Sequence, residues 1–93
     1  MALDVVYRAL DGINDLRSAG EQIPKLPEAR LAGLDGYLDS LTLVTLVLAV
    51  ERDVMSIEGR EVVLFDEREF ERQLAHFASV DALARFIVQR TTA

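Results

Sequence analysis

Asp39, Ser40 and Leu41 are the residues on which chemistry could be built. They stand where a polar, glycine-containing segment, Gly33-Leu34-Asp35-Gly36-Tyr37, gives way to the apolar run Leu41-Thr42-Leu43-Val44-Thr45-Leu46-Val47-Leu48-Ala49-Val50. That change predicts a helix start. Asp39 reads as its N-cap, because its carboxylate can accept a backbone N–H from the first turn. Ser40 is then the first helical residue, with its hydroxyl at the positive end of the helix dipole. Unpaired N–H groups and the dipole both favour negative charge there, so the position suits a covalently attached phosphate. Taken alone, the same residues also fit an ordinary cap followed by an ordinary helical serine. A catalytic serine is a third alternative. It needs a base within hydrogen-bond reach, and the one histidine, His76, lies in an unrelated segment with no Gly-x-Ser-x-Gly context around Ser40. His76 itself reads as a surface or helix-terminal residue rather than a catalyst or metal ligand.

Composition narrows the classes. Ninety-three residues fit one small domain, with little spare volume for a deep enzyme cleft. About half of them (51%) are apolar, which predicts a globular fold rather than disorder. There is no cysteine, so no disulfide framework and no thiolate metal site; any thiol chemistry must arrive with a cofactor. The net charge of −6 argues against nucleic acid and suits basic partners met by electrostatic steering. The N-terminus lacks a basic start followed by an apolar core, so no signal peptide is expected. The longest apolar run, about ten residues, is too short to span a bilayer. A cytoplasmic location is the resulting expectation.

Helices must position Ser40. Residues 2–17 read as amphipathic, with Leu3, Val6, Leu10, Ile13 and Leu16 or Arg17 inward and Asp4, Arg8, Asp11 and Asp15 mostly opposite. Gly20 is the expected stop. Pro24 and Pro27 make residues 20–39 a long connection, with one short turn around Glu28–Leu31. The second helix is expected from Ser40 to Val54. Its stripe of Leu43, Leu46, Val47, Val50 and Val54 should be core; a second stripe, Leu41, Val44 and Leu48, is either further core or a partner-docking face. Ile57-Glu58-Gly59 reads as a turn. Glu61–Phe65 has strand-like residues but no mate, which predicts an extended segment packed on the bundle. Asp66 and Glu69 form a candidate capping box for a short third helix ending near Leu74 or Phe77. Asp66, Glu67, Glu69 and Glu71, interleaved with Arg68 and Arg72, read as a solvated, internally paired face. Ser79 should cap a last helix with Val80, Leu83, Phe86 and Ile87 inward, and residues 90–93 should fray. The sum is an all-α bundle with three main helices, one short helix and a long first loop.

These residues carry a resemblance to the acyl carrier protein family. It rests on Asp39-Ser40-Leu41 opening a second helix, on Leu46-Val47 and Ala49-Val50-Glu51 further along it, and on the closing helix from Val80 to Ile87. Three letters alone recur by chance in roughly a few per cent of chains this long, so it is their position at a helix start that makes the likeness specific. The resemblance covers essentially the whole chain and implies one carrier domain over residues 1–93 with an acyl-carrier-like four-helix bundle. It implies 4′-phosphopantetheine on Ser40, with Asp39 and Leu41 at the surface met by a phosphopantetheinyl transferase. The carrier would not itself be an enzyme. Its arm would hold an acyl or aminoacyl group as a thioester, loaded by an acyl- or aminoacyl-activating ligase and taken by an acyltransferase or synthase. Leu41, Val44 and Leu48 would form the partner interface. No metal is implied, and a monomer is expected.

The chain also departs from the family's usual pattern. Fatty-acid-synthesis members carry acidic residues just after the serine and midway along the second helix, and these dock basic patches on partners. Here those positions are Thr42 and Thr45. With the extended Glu58–Phe65 segment, this resembles specialised carriers of lipid or secondary-metabolite biosynthesis more than housekeeping ones. An aminoacyl or peptidyl carrier is the nearest alternative. An unmodified helical domain that binds a partner helix through Leu41, Val44 and Leu48 is the alternative from another class.

Overall fold

The computed structural model describes residues 2–33 and 36–92. All regular structure among them is helical: α1 is Ala2–Asn14, α2 Ser40–Glu58, α3 Phe70–Gln73 and α4 Val80–Thr91. Leu34 and Asp35, part of the segment expected to deliver the chain to Ser40, lie outside the described residues, as does Ala93 at the tail.

Helix α1 buries Val5, Val6, Ala9 and Leu10, with Ile13 half-buried. The inward stripe is therefore rotated from the expected one: Leu3 lies at its edge and Leu16 is solvent-exposed. Leu16 is exposed because of where the helix stops. Asn14 turns its side chain onto the next segment, donating from Nδ2 to the Ile23 carbonyl (3.0 Å) and accepting the Ile23 N–H at Oδ1 (2.8 Å). Gln22 Nε2 then donates to the Asn14 and Arg17 carbonyls (2.7 and 3.0 Å), satisfying acceptors that the helix end leaves over. Side-chain amides end α1, and Gly20 instead lies in a 3₁₀ turn, Ala19–Glu21. Leu16 falls past the last helical residue and out of helical register.

The long first connection is pinned at both ends. Its turn at Leu26–Ala29 closes through Ala29 N–H to the Leu26 carbonyl. From there the chain runs against the start of α4, with one isolated antiparallel bridge between Arg30 and Ser79. The Leu31 N–H donates to Ala78, while the N–H groups of Val80 and Asp81 donate to the carbonyls of Ala29 and Pro27. The loop thus supplies acceptors that the first turn of α4 needs. Ser79 caps that helix through Oγ, which accepts the Ala82 N–H at 3.1 Å. At its other end α4 stays helical through Thr91, beyond the fraying expected at Arg90, and Arg60 donates to the Thr91 carbonyl.

Helix α2 buries Leu43, Leu46, Val47, Val50 and Val54, the expected core stripe, against α1. It continues one turn past Val54 to Glu58 and is about 28 Å long. Gly59 ends it in the left-handed conformation (φ 69°), donating its N–H to Met55. Residues 61–65 are extended and form no strand. Val62 and Leu64 are buried and Val63 exposed, the period-two alternation of a half-buried segment. The missing strand mate is replaced by a side chain: Glu51 Oε2 accepts the N–H groups of Leu64 (2.7 Å) and Phe65 (3.1 Å).

The third helical region is more broken than expected. It consists of a 3₁₀ turn Glu67–Glu69, the single turn of α3, and a second 3₁₀ turn Leu74–Phe77. Asp66 caps it, but by accepting the Arg68 N–H at 3.0 Å, a tighter bond than a capping box makes. Glu69 makes no reciprocal bond and pairs with Arg72 at 3.8 Å. The acidic cluster is largely exposed and partly paired, Arg68 also lying 3.8 Å from Asp66. Packing rather than helical continuity holds this region. The four phenylalanines of the chain meet in sequence, with ring centroids 5.5 Å (Phe65–Phe70), 6.1 Å (Phe70–Phe77) and 5.8 Å (Phe77–Phe86) apart. Phe77 is fully buried in the one apolar cluster that joins α1, α2, α4 and both loops.

Candidate functional site

Ser40 is the first residue of α2 and is exposed. The preceding residue, Asp39, is extended and accepts the Thr42 N–H at Oδ1 (2.8 Å), while its carbonyl accepts the Leu43 N–H. The N–H groups of Ser40 and Leu41 have no backbone or side-chain acceptor among the described residues. A hydroxyl at this point therefore sits beside unpaired donors at the positive end of a 19-residue helix.

The cap is electrostatically marked. The bond from the Thr42 N–H holds the Asp39 carboxyl below the usual carboxylate range, and the positive charge of Arg17 adds a smaller push the same way. A carboxyl lowered by folding stabilises the fold fully above its unfolded pKa, and that contribution fades as pH falls through the folded value. Asp39→Ala is thus expected to be less stable than wild type at neutral pH, with the gap closing in acid. Urea titrations at neutral and acidic pH check this; a gap that stays constant would show that the carboxylate charge does not act in the cap.

Two elements bring the chain to Ser40. Arg17, just past α1, donates from Nε to the Glu21 carbonyl (2.8 Å) and from Nη2 to the Tyr37 carbonyl (3.4 Å). Arg30 and Leu31 accept the N–H groups of Tyr37 and Leu38 (3.1 and 3.0 Å), and Leu38 is buried. The residues before Asp39 are therefore held from both sides. Tyr37 keeps its side chain partly exposed next to the motif.

Of the second apolar stripe, Leu41 is 78% exposed and Leu48 40%, with Val44 half-buried between them. This stripe faces solvent at both ends and is not core. Beside it an open groove of about 340 Å³ runs between the end of α1 and the start of α2, lined by Ile13, Leu16, Arg17, Leu41, Thr42 and Thr45. The Thr45 hydroxyl is turned back to the Leu41 carbonyl of its own helix (3.0 Å), which leaves the groove wall largely apolar.

His76 is not brought to Ser40 by any hydrogen bond. It stacks on Phe86 of α4, centroids 4.2 Å apart and planes 13° from parallel. Among the described residues no base is hydrogen-bonded to the Ser40 hydroxyl, the pairing that activates a nucleophilic serine. Among the described residues no group of three or more His, Asp or Glu side chains is arranged to hold a metal ion, and no helix is long and apolar enough to cross a membrane.

Sequence reasoning missed Asn14, Glu51 and the joint role of Leu16 and Arg17. Two signals were present. Asn14 continues the Val6–Leu10 spacing, and Glu51 follows Val47 by four; each is a polar residue in register with a buried stripe, which asks for a specific partner. No protein-family model, curated protein or solved structure matches the chain.

Proposed function

We propose that the protein is a carrier of the acyl-carrier type, bearing 4′-phosphopantetheine on Ser40 and handing a thioester-linked acyl group between partner enzymes. The observation that carries this reading is the exposed Ser40 at the Asp39-capped start of α2, with exposed Leu41 beside it. The order of elements, with a long pinned loop leading to that serine, also suits an acyl-carrier-like bundle. In the modification a transferase removes the Ser40 proton and Oγ attacks the β-phosphorus of coenzyme A. The new P–O bond forms as the bond to 3′,5′-ADP breaks, and the nucleotide leaves with that electron pair. The arm ends in a thiol, which supplies the chemistry that a chain without cysteine lacks. Aminoacyl or peptidyl cargo would use the same attachment.

Intact mass after incubation with coenzyme A and a broad-specificity phosphopantetheinyl transferase tests the reading. A single phosphopantetheine-sized gain is expected on the folded protein. No gain, with a transferase active on another carrier, would overturn it. The solvent-facing Leu41 and Leu48 favour a second reading, an unmodified domain that binds a partner helix through Leu41, Val44 and Leu48. That reading makes Ser40 dispensable for partner binding.

A further inference from the structure

Leu16, 90% exposed, and Leu41 are the two most exposed large apolar side chains among the described residues. They come from different elements, yet both line the groove beside Ser40. Scattered exposed leucines need no explanation, but two that share one concave wall mark a surface that something apolar covers. Charge on this wall is unusual for the chain. The protein carries a net charge of −6, but Ser40–Val50 contains no charged residue, and the cation in the groove lining is Arg17. A basic patch on a partner finds no row of carboxylates on this face of α2. Arg17 uses part of its donor fork on the Glu21 and Tyr37 carbonyls, and its charge reaches Asp39. The complement of this wall is an apolar side chain flanked by a carboxylate.

We infer that the groove between the end of α1 and the start of α2 seats the phosphopantetheinyl transferase, which inserts an apolar side chain between Leu16 and Leu41 and sets a carboxylate against Arg17. The inference rests on the carrier reading, because the transferase is the partner that must reach Ser40 first. It makes recognition apolar and weakly salt-dependent, in place of steering onto an acidic helix.

The test is the steady-state rate of modification at saturating coenzyme A, with the carrier concentration varied. Leu16→Ser is expected to raise KM for the carrier about tenfold with kcat unchanged, the effect of losing one well-packed interface anchor. Its circular dichroism and unfolding midpoint should match wild type, since Leu16 packs on little. Arg17→Glu is expected to raise KM further, and Arg17→Lys to restore most of it. Raising salt to about 1 M, where screening leaves a range of about 3 Å, should raise the wild-type KM by less than Arg17→Glu does, since one charge pair and not a row of them is screened. An unchanged KM for Leu16→Ser, or a KM that climbs steeply with salt, overturns the inference and leaves the carrier reading standing. A wild-type dimer in sedimentation that Leu16→Ser dissolves would give the groove to a second copy, and also overturns it. Absence of any modification of wild type is a distinct result, which removes the carrier reading and this inference together.

Discussion

Ser40→Ala is expected to abolish the phosphopantetheine mass gain completely while leaving the fold at wild-type stability, within about 0.5 kcal/mol. The two halves of that result have separate causes. Loss of the gain follows because Oγ is the atom that would form the new bond to phosphorus, and alanine offers none. Retention of the fold follows from what Ser40 does not do. Its hydroxyl makes no hydrogen bond among the described residues, it is exposed, and alanine is the best helix former at a helical position. The cap itself belongs to Asp39 and the Thr42 N–H and is untouched. Intact mass and a urea titration on the same sample check both halves. A gain that persists in Ser40→Ala would move the attachment to another hydroxyl, Thr42 in the same first turn of α2 being the first to replace. A collapse in stability would mean that Ser40 holds the helix start, and the loss of modification would then say nothing about attachment.

The contrast between Ser40 and its surroundings shows which parts of the molecule could be read from the chain. The helix start at Asp39-Ser40 and the core stripe from Leu43 to Val54 were legible because each is a local pattern: one cap, one period. The solvent exposure of Leu41 and Leu48 was not. A helix apolar on several sides is compatible with burial all round, and only the placement of α1 and the first loop decides which side stays open. The exposure of Leu16 has a similar origin. Leu16 fits helical spacing, but Asn14 spends its amide on Ile23 and ends the helix two residues earlier, a long-range contact that no periodicity reports. Glu51 is the clearest case. Its register with Val47 asks for a partner, but which groups fill that need, the N–H groups of Leu64 and Phe65, is set by where the extended segment packs. The groove beside Ser40 depends on the end of α1, since it exists where a shortened α1 leaves Leu16 and Arg17 beside the first turn of α2.

Gly36→Ala is the substitution expected to damage the fold most, and it does so by way of the site. A Cβ on residue 36 would lie 2.5 Å from the Leu31 carbonyl oxygen and 2.7 Å from the carbonyl carbons of Leu31 and Ala32. These are backbone atoms, so no side chain can swing aside. Nor is the backbone free to yield. Leu31 is fully buried, its N–H is held by Ala78, and its carbonyl accepts the Leu38 N–H at 3.0 Å. Relieving the clash must break the bond to Leu38 or push residues 30–32 off α4, and either lets go of the segment that leads into Asp39. Overpacking of this kind typically costs about 1–3 kcal/mol, and the upper end applies where only backbone can move. About 3 kcal/mol would lower the unfolding midpoint by roughly 12 °C or more in a chain this size. Gly12 is the control. It is exposed in α1 with nothing within 4 Å of its Cβ, so Gly12→Ala should gain about 0.5–1 kcal/mol. Thermal melts of the two variants should therefore move in opposite directions. If Gly36→Ala melts like wild type, the path from Leu31 to Leu38 is looser than its hydrogen bonds imply, and Ser40 is presented by α2 alone. If it melts early and the fraction still folded is modified more slowly than wild type, the loop is what holds the serine in place for its enzyme.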